Sequence, residues 1–408
     1  MNNNILIAQS GGPTAAINAA LAGIITAALE SESAGEIFGG VNGVQGILEE
    51  NIISLTERFA DDPDALRRLK LTPDMYLKSC RYKLKKPDED DSDYVRLTEV
   101  FEKYNIGMFF YIGGNDSMDT VARIKEFTEN RGLNIKVIGV PKTIDNDLIE
   151  IDHTPGFGSA AKYVATTLRE VLIDTGLYPI ENVTVVEIMG RDSGWLTASA
   201  VLAPPENFPS EPIICLPETP FDKDKFIDRV REEVNRAGFA VVAASEGLRD
   251  ADGEYISANT GALDKFGHPQ LSGTASALTG IIRDELGCKV RGIELGTAQR
   301  SAGHIASKTD IEESFTLGSN AFKYAESGDS GIMALLRRVG DDPYEVEYGA
   351  VDVSKVANAV KGVPKDWIDK NNFTVTEEMV RYLRPLIVGE ESIEYKDGLP
   401  DYLYDRHN

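Results

Sequence analysis

Pro141-Lys142-Thr143-Ile144-Asp145-Asn146-Asp147 sets a cation, a hydroxyl and two carboxylates side by side, directly after the apolar run Ile135–Val140. Such a run reads as a buried strand, and the carboxyl end of a parallel strand is where α/β proteins hold ligands. A carboxylate there can accept a proton from a substrate hydroxyl or help hold Mg2+. A turn capped by Asp and Asn fits the same residues, and composition alone leaves both readings open. Two glycine pairs, Gly11-Gly12 and Gly113-Gly114, also follow apolar runs and precede helix-like stretches. Glycine lets a phosphate approach the backbone, and a helix N-terminus offers it free N–H groups. One pair alone is a tight turn; two at equivalent turns favour a phosphate site. Neither is followed by the Gly-Lys-Ser/Thr of a Walker loop.

Asn115-Asp116 follows the second glycine pair, and Asp116 suits either a hydrated metal or the cap of a helix beginning near Ser117, capping being the simpler reading. Arg191, after the apolar run Val183–Ile188, has the planar fork that clamps phosphate, and Arg291 and Arg300 are further candidates. Gly156-Phe157-Gly158-Ser159-Ala160-Ala161 imitates a dinucleotide fingerprint, but it lies far beyond the preceding strand across a polar, acidic stretch and is set aside.

The elements that must position these residues alternate. Ile5–Ala8, Met108–Ile112 and Ile135–Val140 read as strands, with helices over Ala15–Leu29 and from Ser117. After residue 150 the pattern restarts: helix Gly158–Asp174, strand Val183–Ile188, helix from Ser193, strand Ile213–Leu216, helix Asp222–Ala237 and strand Phe239–Ala244. This grammar predicts parallel sheets with crossover helices in two units, the second starting near Gly156. Residues 61–94 are charged and poor in apolar pattern, with Asp88–Asp93 reading as a solvated loop. Beyond Gly340 the pattern weakens, and Tyr395–Asn408 reads as a tail.

The chain has 408 residues, 42 Lys or Arg against 66 Asp or Glu, and a formal charge of −24. That length predicts two or three domains. The acidity argues against nucleic-acid and anionic-membrane partners, which need basic surfaces. It also means that any polyanion site must concentrate the few cations. Cys80, Cys215 and Cys288 are far apart and form no CxxC, and four histidines show no zinc spacing. Reduced thiols and a cytoplasmic location are expected. No signal peptide and no apolar run of membrane-spanning length is seen.

Taken together, Gln9-Ser10-Gly11-Gly12, Gly113-Gly114-Asn115-Asp116-Ser117, Pro141–Asp147, Met189-Gly190-Arg191, Ser245-Glu246-Gly247, Leu295-Gly296 and Gln299-Arg300 resemble, in order and spacing over about residues 4–335, the phosphofructokinase family. The resemblance implies two doubly wound, Rossmann-like three-layer α/β domains with mainly parallel sheets and an active site in the cleft between them. It implies a donor domain of 1–155 plus about 299–355, and a sugar-phosphate domain of 156–298 plus about 356–408. Within the family the chain is most similar to the pyrophosphate-dependent enzymes, which use pyrophosphate and Mg2+ to phosphorylate fructose 6-phosphate reversibly on its 1-hydroxyl. Asp116 and Lys142 stand where ATP-using relatives usually have glycine. A carboxylate at Asp116 would repel the innermost phosphate of ATP, and Lys142 would supply charge beside the transferring phosphoryl.

The resemblance assigns roles residue by residue. Asp145 is the base, with Thr143, Ile144 and Asp147 lining its pocket and Lys142 stabilising the phosphoryl. Gly11, Gly12, Arg81, Asp116 and Lys142 meet pyrophosphate. Met189, Gly190, Arg191, Glu246, Arg291 and Arg300 hold the sugar phosphate, one of the last two from a neighbouring subunit, so a homodimer or homotetramer is expected. Asn115 and Asp116 are the metal-associated positions, although the family usually has Asp where Asn115 stands. Asn182 and Thr297 replace an arginine and a histidine common in relatives. Ala22, Thr26 and Ile173 replace the effector-site arginines of bacterial ATP-dependent relatives, which implies no regulation by ADP or phosphoenolpyruvate at that site. The rival readings are an ATP-dependent phosphofructokinase and a non-catalytic regulatory subunit, and the second would be expected to lack Asp145 or the arginines.

Overall fold

The computed structural model describes residues 3–80, 82–257, 273–357 and 359–405. Arg81, an expected pyrophosphate contact, lies outside them, as do the last three residues of the expected tail. The two main sheets contain, in chain order, β1 (Asn3–Gln9), β2 (Ala34–Gly40), β3 (Ile52–Ser54), β4 (Ile106–Gly113), β5 (Lys136–Pro141), β6 (Asn182–Ile188), β7 (Ile213–Cys215), β8 (Phe239–Ser245), β9 (Lys289–Glu294), β10 (Ile332–Asp341) and β11 (Tyr344–Asp352).

The first sheet has the order β11-β10-β5-β4-β1-β2-β3. It is parallel except at its margins, where β10 pairs with β11 and β2 with β3 antiparallel. Strand β4 is buried along its whole length, as a central parallel strand covered on both faces must be. Apolar residues on its two faces join different cores: Phe110 and Ile112 meet helices Ile17–Leu29 and Lys308–Glu326, while Phe109 and Tyr111 meet helices Ser92–Lys103 and Asn115–Asn130. The second sheet, β7-β8-β6-β9, is wholly parallel. Helix Phe157–Thr175 covers one face of it, and helices Lys223–Ala237 and Thr274–Leu286 the other.

The expected strands and crossover helices are present, with ends moved by one or two residues. Helix Lys223–Ala237 starts one residue late because Asp222 serves as its cap, its carboxylate accepting from Lys225 N at 3.2 Å. The helix expected from Ser193 is only the short turn Trp195–Ala198, continued as a 3-10 turn to Leu202. Two expectations are corrected. Residues 61–94 contain helix Pro63–Leu71, started by Asp62 capping Ala65 N with proline in its first turn; its charged face concealed an apolar stripe of Ala65 and Leu69. Beyond Gly340 the chain does not lose structure, because β10 and β11 form a long hairpin whose outer half is exposed and therefore polar.

The segment after the hairpin and the described part of the tail are both tied down. Val363, Val375, Met379, Tyr382, Leu383 and Leu386 join the core beneath the second sheet. Leu403 is buried against the first, and Arg58 pairs with Asp405 at 2.6 Å.

Candidate active site

In each sheet the chain reverses its winding beside the strand that carries a candidate segment, and the carboxyl ends there open a crevice. In the first sheet the crevice lies between β1 and β4, so the Gly11-Gly12 and Gly113-Gly114 turns are neighbours. Ser10 and Ser117 share a hydroxyl hydrogen bond of 2.5 Å that fastens the two turns together. Gly11 has φ +81°, which a residue with a side chain adopts only with strain, and a Cβ there would lie 3.2 Å from Lys142 Nζ. Helix Asn115–Asn130 begins immediately after Gly114, earlier than expected, so its free N–H groups face the same turn. Asp116 therefore sits in the first helical turn and makes no side-chain cap, which corrects the capping reading.

Strand β5 delivers the acidic segment to the same edge. Lys142 N donates to Gly113 O at 2.9 Å. The Lys142 ammonium, 2% exposed, donates to Gly12 O at 2.6 Å. Burial pushes this ammonium down to about 8 and Arg300 adds to the shift, while Asp145 and Asp147 oppose it. Beyond Lys142 the chain leaves the sheet and is held by side chains. Thr143 Oγ1 accepts from Asp145 N at 3.1 Å, Thr154 Oγ1 donates to Thr143 O at 2.7 Å, and Asn146 Oδ1 accepts from Thr154 N at 3.1 Å. Ile144 turns its side chain into the core beneath the second sheet.

The second sheet closes the cleft. Ser193 Oγ, after β6, donates to Asp145 O at 2.9 Å. Gly190, at φ +119°, makes the sharp turn after Met189, and its carbonyl accepts from Ser245 Oγ at 2.7 Å. Its N–H points to Glu246 Oε1 at 3.4 Å, and Met189 N donates to the buried amide oxygen of Gln299 at 3.1 Å. Asp145 is thus surrounded. Burial raises its pKa against the pull of Lys142, Arg191 and Arg300, and Asp192 adds to the rise. Burial, reinforced by Asp145, also pushes Asp147 and Glu246 up to about 7 each. Three carboxyls and three cations share one cleft, an arrangement suited to moving a proton beside a phosphate.

Arg300, on the short helix Ala298–Ser301, lies against the Gly11-Gly12 turn: a Cβ on Gly12 would sit 3.3 Å from its NH1. Asp116 is half exposed at the mouth, 3.6 Å from the Lys83 ammonium. Asn115 Nδ2 donates to Ala359 O at 2.7 Å. Arg291 is not brought to the cluster. It stands opposite Thr184 on the edge strand β9, short of the carboxyl end, and pairs with Asp174 at 3.3 Å. Sequence reasoning missed Ser193 and Lys83, which carry no motif, and Gln299, which sits beside Arg300 inside a motif already noted.

The fold and this cleft define a class, and the comparisons agree. Residues 4–325 match the Phosphofructokinase family, and the chain belongs to it. It is 42% identical to the pyrophosphate–fructose 6-phosphate 1-phosphotransferase of Xanthomonas campestris pv. campestris, over 98% of this chain and 96% of that one. It is 40% identical to the enzyme of the same name from Methylococcus capsulatus, over 98% and 95%. A solved pyrophosphate-dependent phosphofructokinase from Nitrosospira multiformis superposes with a TM-score of 0.88 at 38% identity, over 99% of this chain and 96% of that one. Among the described residues no helix is long and apolar enough to cross a membrane.

Proposed function

We propose that this chain transfers a phosphoryl group from inorganic pyrophosphate to the 1-hydroxyl of fructose 6-phosphate, reversibly, giving fructose 1,6-bisphosphate and phosphate. The observation that carries this reading is Lys142, a buried ammonium held between the glycine turns and Asp145 where a nucleotide-using site needs room. The close relatives, named for pyrophosphate and fructose 6-phosphate, support the same donor and acceptor.

Phosphoryl transfer asks a protein for alignment and charge. Pyrophosphate would lie on the Gly11-Gly12 and Gly113-Gly114 turns, with Asp116 at its outer end and Lys142 and Arg300 at its inner end, and Arg81 as a further contact. Fructose 6-phosphate would lie along Met189, Gly190, Arg191 and Glu246, its 1-hydroxyl toward Asp145. As that oxygen bonds to phosphorus, its proton passes to Asp145 and the bond to the departing phosphate breaks. In reverse, Asp145 returns the proton. Thr143 holds the Asp145 turn through its hydroxyl, and Asp147 lines the same pocket.

Mg2+ would arrive with pyrophosphate. Among the described residues no three His, Cys, Asp or Glu side chains converge as a metal cage. A carboxylate at the mouth fits the usual Mg2+ mode, in which one or two carboxylates, substrate phosphates and waters share the ligation. Asp116 would hold the ion, with Asn115 through its side-chain oxygen, and the ion would neutralise charge on the donor.

The proposed division is a donor domain of 1–155 plus about 299–355 and a sugar-phosphate domain of 156–298 plus about 356–408. A homodimer or homotetramer is supported by Arg291, which lies on an exposed edge beside the exposed Ile173, Leu177, Tyr178 and Ile180 and would grip the sugar phosphate of a neighbouring copy. The unpaired cysteines agree with a cytoplasmic enzyme. With Ala22, Thr26 and Ile173 in place of effector arginines, ADP and phosphoenolpyruvate should leave fructose 6-phosphate affinity unchanged. The test of the activity is to incubate the purified chain with fructose 6-phosphate, Mg2+ and pyrophosphate and assay the bisphosphate, then to run the reaction backwards from bisphosphate and phosphate. Absence of product in both directions would sink the reading.

A further inference from the structure

The mechanism leaves one half-buried cation near the cleft, Lys361, unused. Lys361 follows the β10–β11 hairpin and crosses behind the acidic segment. Its main-chain N–H donates to Asp147 O at 2.7 Å. Its ammonium donates to Ile151 O at 3.0 Å and Asp152 O at 2.7 Å. Its carbonyl accepts from the indole N–H of Trp195 at 3.0 Å, and its ammonium lies 5.4 Å from the centre of that ring. Neighbouring residues repeat the pattern. Ala359 O takes the Asn115 amide at 2.7 Å, and Val363 N donates at 2.9 Å to Glu218 Oε1, which also accepts Gly194 N at 2.8 Å. A strap of five residues, 359–363, thus touches the donor turn, the base-bearing segment and the wall that follows β6.

The segment it holds needs support. Residues 142–156 belong almost wholly to no sheet or helix, and Asn146 and Glu150 adopt φ of +53° and +64°. Buried irregular backbone and left-handed non-glycine residues persist only when surrounding groups over-determine them. A methionine at 361 would pack at lower desolvation cost but would take from the buried Ile151 O its lysine hydrogen bond and leave Asp152 O with Tyr382 alone. The far side is already fixed: Asp152 pairs with His153 at 2.8 Å and Arg338 at 3.4 Å, and the Tyr382 hydroxyl donates to Asp152 O at 2.9 Å and accepts from Asn146 at 2.8 Å.

We propose that Lys361 is a positioning residue for phosphoryl transfer: from the end of the chain it fixes the Asp147–Asp152 backbone against Trp195, and so sets Asp145 in register with the sugar-phosphate wall. The proposal rests on the assignment of Asp145 as the base. Misplacement of a reacting group by 1 Å can cost about 10²-fold in rate. Lys361→Met should therefore lower kcat by about 10- to 100-fold while KM for both substrates stays within about threefold, and Lys361→Arg should recover most of the loss. Turnover of Lys361→Met within twofold of wild type, a loss confined to KM, or no recovery with arginine would overturn the proposal. Should Lys361→Met fail to fold, Trp195→Phe decides, since it keeps an aromatic ring in that place and removes, with part of the ring, the N–H to Lys361 O. A reduced kcat at unchanged KM then supports the role, and an unchanged kcat overturns it. Asp145→Ala run alongside separates the two failures. Normal turnover there sinks the base assignment whatever Lys361→Met does, whereas a slow Asp145→Ala beside a fast Lys361→Met sinks only the positioning role.

Discussion

Replacing Lys142 should remove both a large part of the catalysis and a specific limb of its pH dependence. The ammonium is 2% exposed and donates to Gly12 O at 2.6 Å, between the two glycine turns. A unit charge about 4 Å from a phosphoryl oxygen is worth on the order of 4 kcal/mol at an effective dielectric near 20. Part of that is felt equally by bound pyrophosphate, so the share specific to the transition state is about 3 kcal/mol, or about 10²-fold. Lys142→Met should thus lower kcat with pyrophosphate by about 10²-fold and kcat/KM by more.

The pH dependence of the rate is a sharper signature of this ammonium. Burial, with Arg300 adding, depresses the ammonium to about 8, and Asp145 and Asp147 hold it from falling further. The working form is the charged one, so kcat/KM should fall as pH rises through about 8. In the complex the donor's negative charge favours the ammonium, and the corresponding limb of kcat should move to higher pH. Lys142→Arg keeps the charge but does not titrate in this range, so the alkaline limb should vanish even if the rate is low. Lys361 is pushed down to about 8 as well, chiefly by burial, and Lys361→Arg is the necessary control: it should leave the limb in place. Rate–pH profiles of the three proteins from pH 6 to 10 check this. An unchanged alkaline limb in Lys142→Arg, or a kcat for Lys142→Met within tenfold of wild type, would refute the reasoning.

Asp145→Ala or Asp145→Ser should lower kcat by about 10²–10⁴-fold with fructose 6-phosphate binding retained, measured by steady-state kinetics and direct titration; near-normal turnover would remove Asp145 from its role. Asp116→Gly combined with Lys142→Gly should raise ATP-driven turnover at least about tenfold over wild type, because the Asp116 carboxylate no longer repels the innermost phosphate of ATP and the Lys142 side chain no longer fills the space beside it; no ATP use above background would show that these two side chains do not set donor choice. His153, buried between Asp152 and Glu313, has its pKa raised to about 9, burial opposing and the two carboxylate partners outweighing it. Because the folded value exceeds the unfolded one, its stabilisation is complete below about pH 6.5 and is lost as pH rises through about 9, amounting to about 3 kcal/mol at most. Urea unfolding of wild type and His153→Gln at pH 6 and 9.5 should show the gap between them shrinking by that order, and parallel curves would contradict it.

Much of the fold was legible because parallel strands buried on both faces are continuous apolar runs. β4, β5, β6 and β8 were found on that signal alone. What escaped had mixed exposure. The hairpin β10–β11 projects half its length into solvent, so its outer residues alternate with charges, and helix Pro63–Leu71 buries only a narrow stripe. In the site, Lys142, Asp145 and Asp147 were visible from spacing, since one short loop after one strand carries them. Their meeting with Arg191, Glu246 and Arg300 was not, because it depends on two sheets presenting their carboxyl ends to each other, and only the likeness to a known family suggested it. Lys361 had no sequence signal at all: its partners Asp147, Ile151 and Asp152 lie some two hundred residues away, and most of its bonds are to backbone carbonyls, which any sequence could supply.

The central claim is that Asp116 and Lys142 fit this cleft to a bare pyrophosphate and against the nucleotide. Its most direct measurement is kcat/KM for each donor in the same preparation, with fructose 6-phosphate saturating, Mg2+ fixed and ATP freed of contaminating pyrophosphate. The expected result is a preference for pyrophosphate of at least about 10³-fold, equivalent to about 4 kcal/mol. Equal use of the two donors, or a preference for ATP, would contradict it.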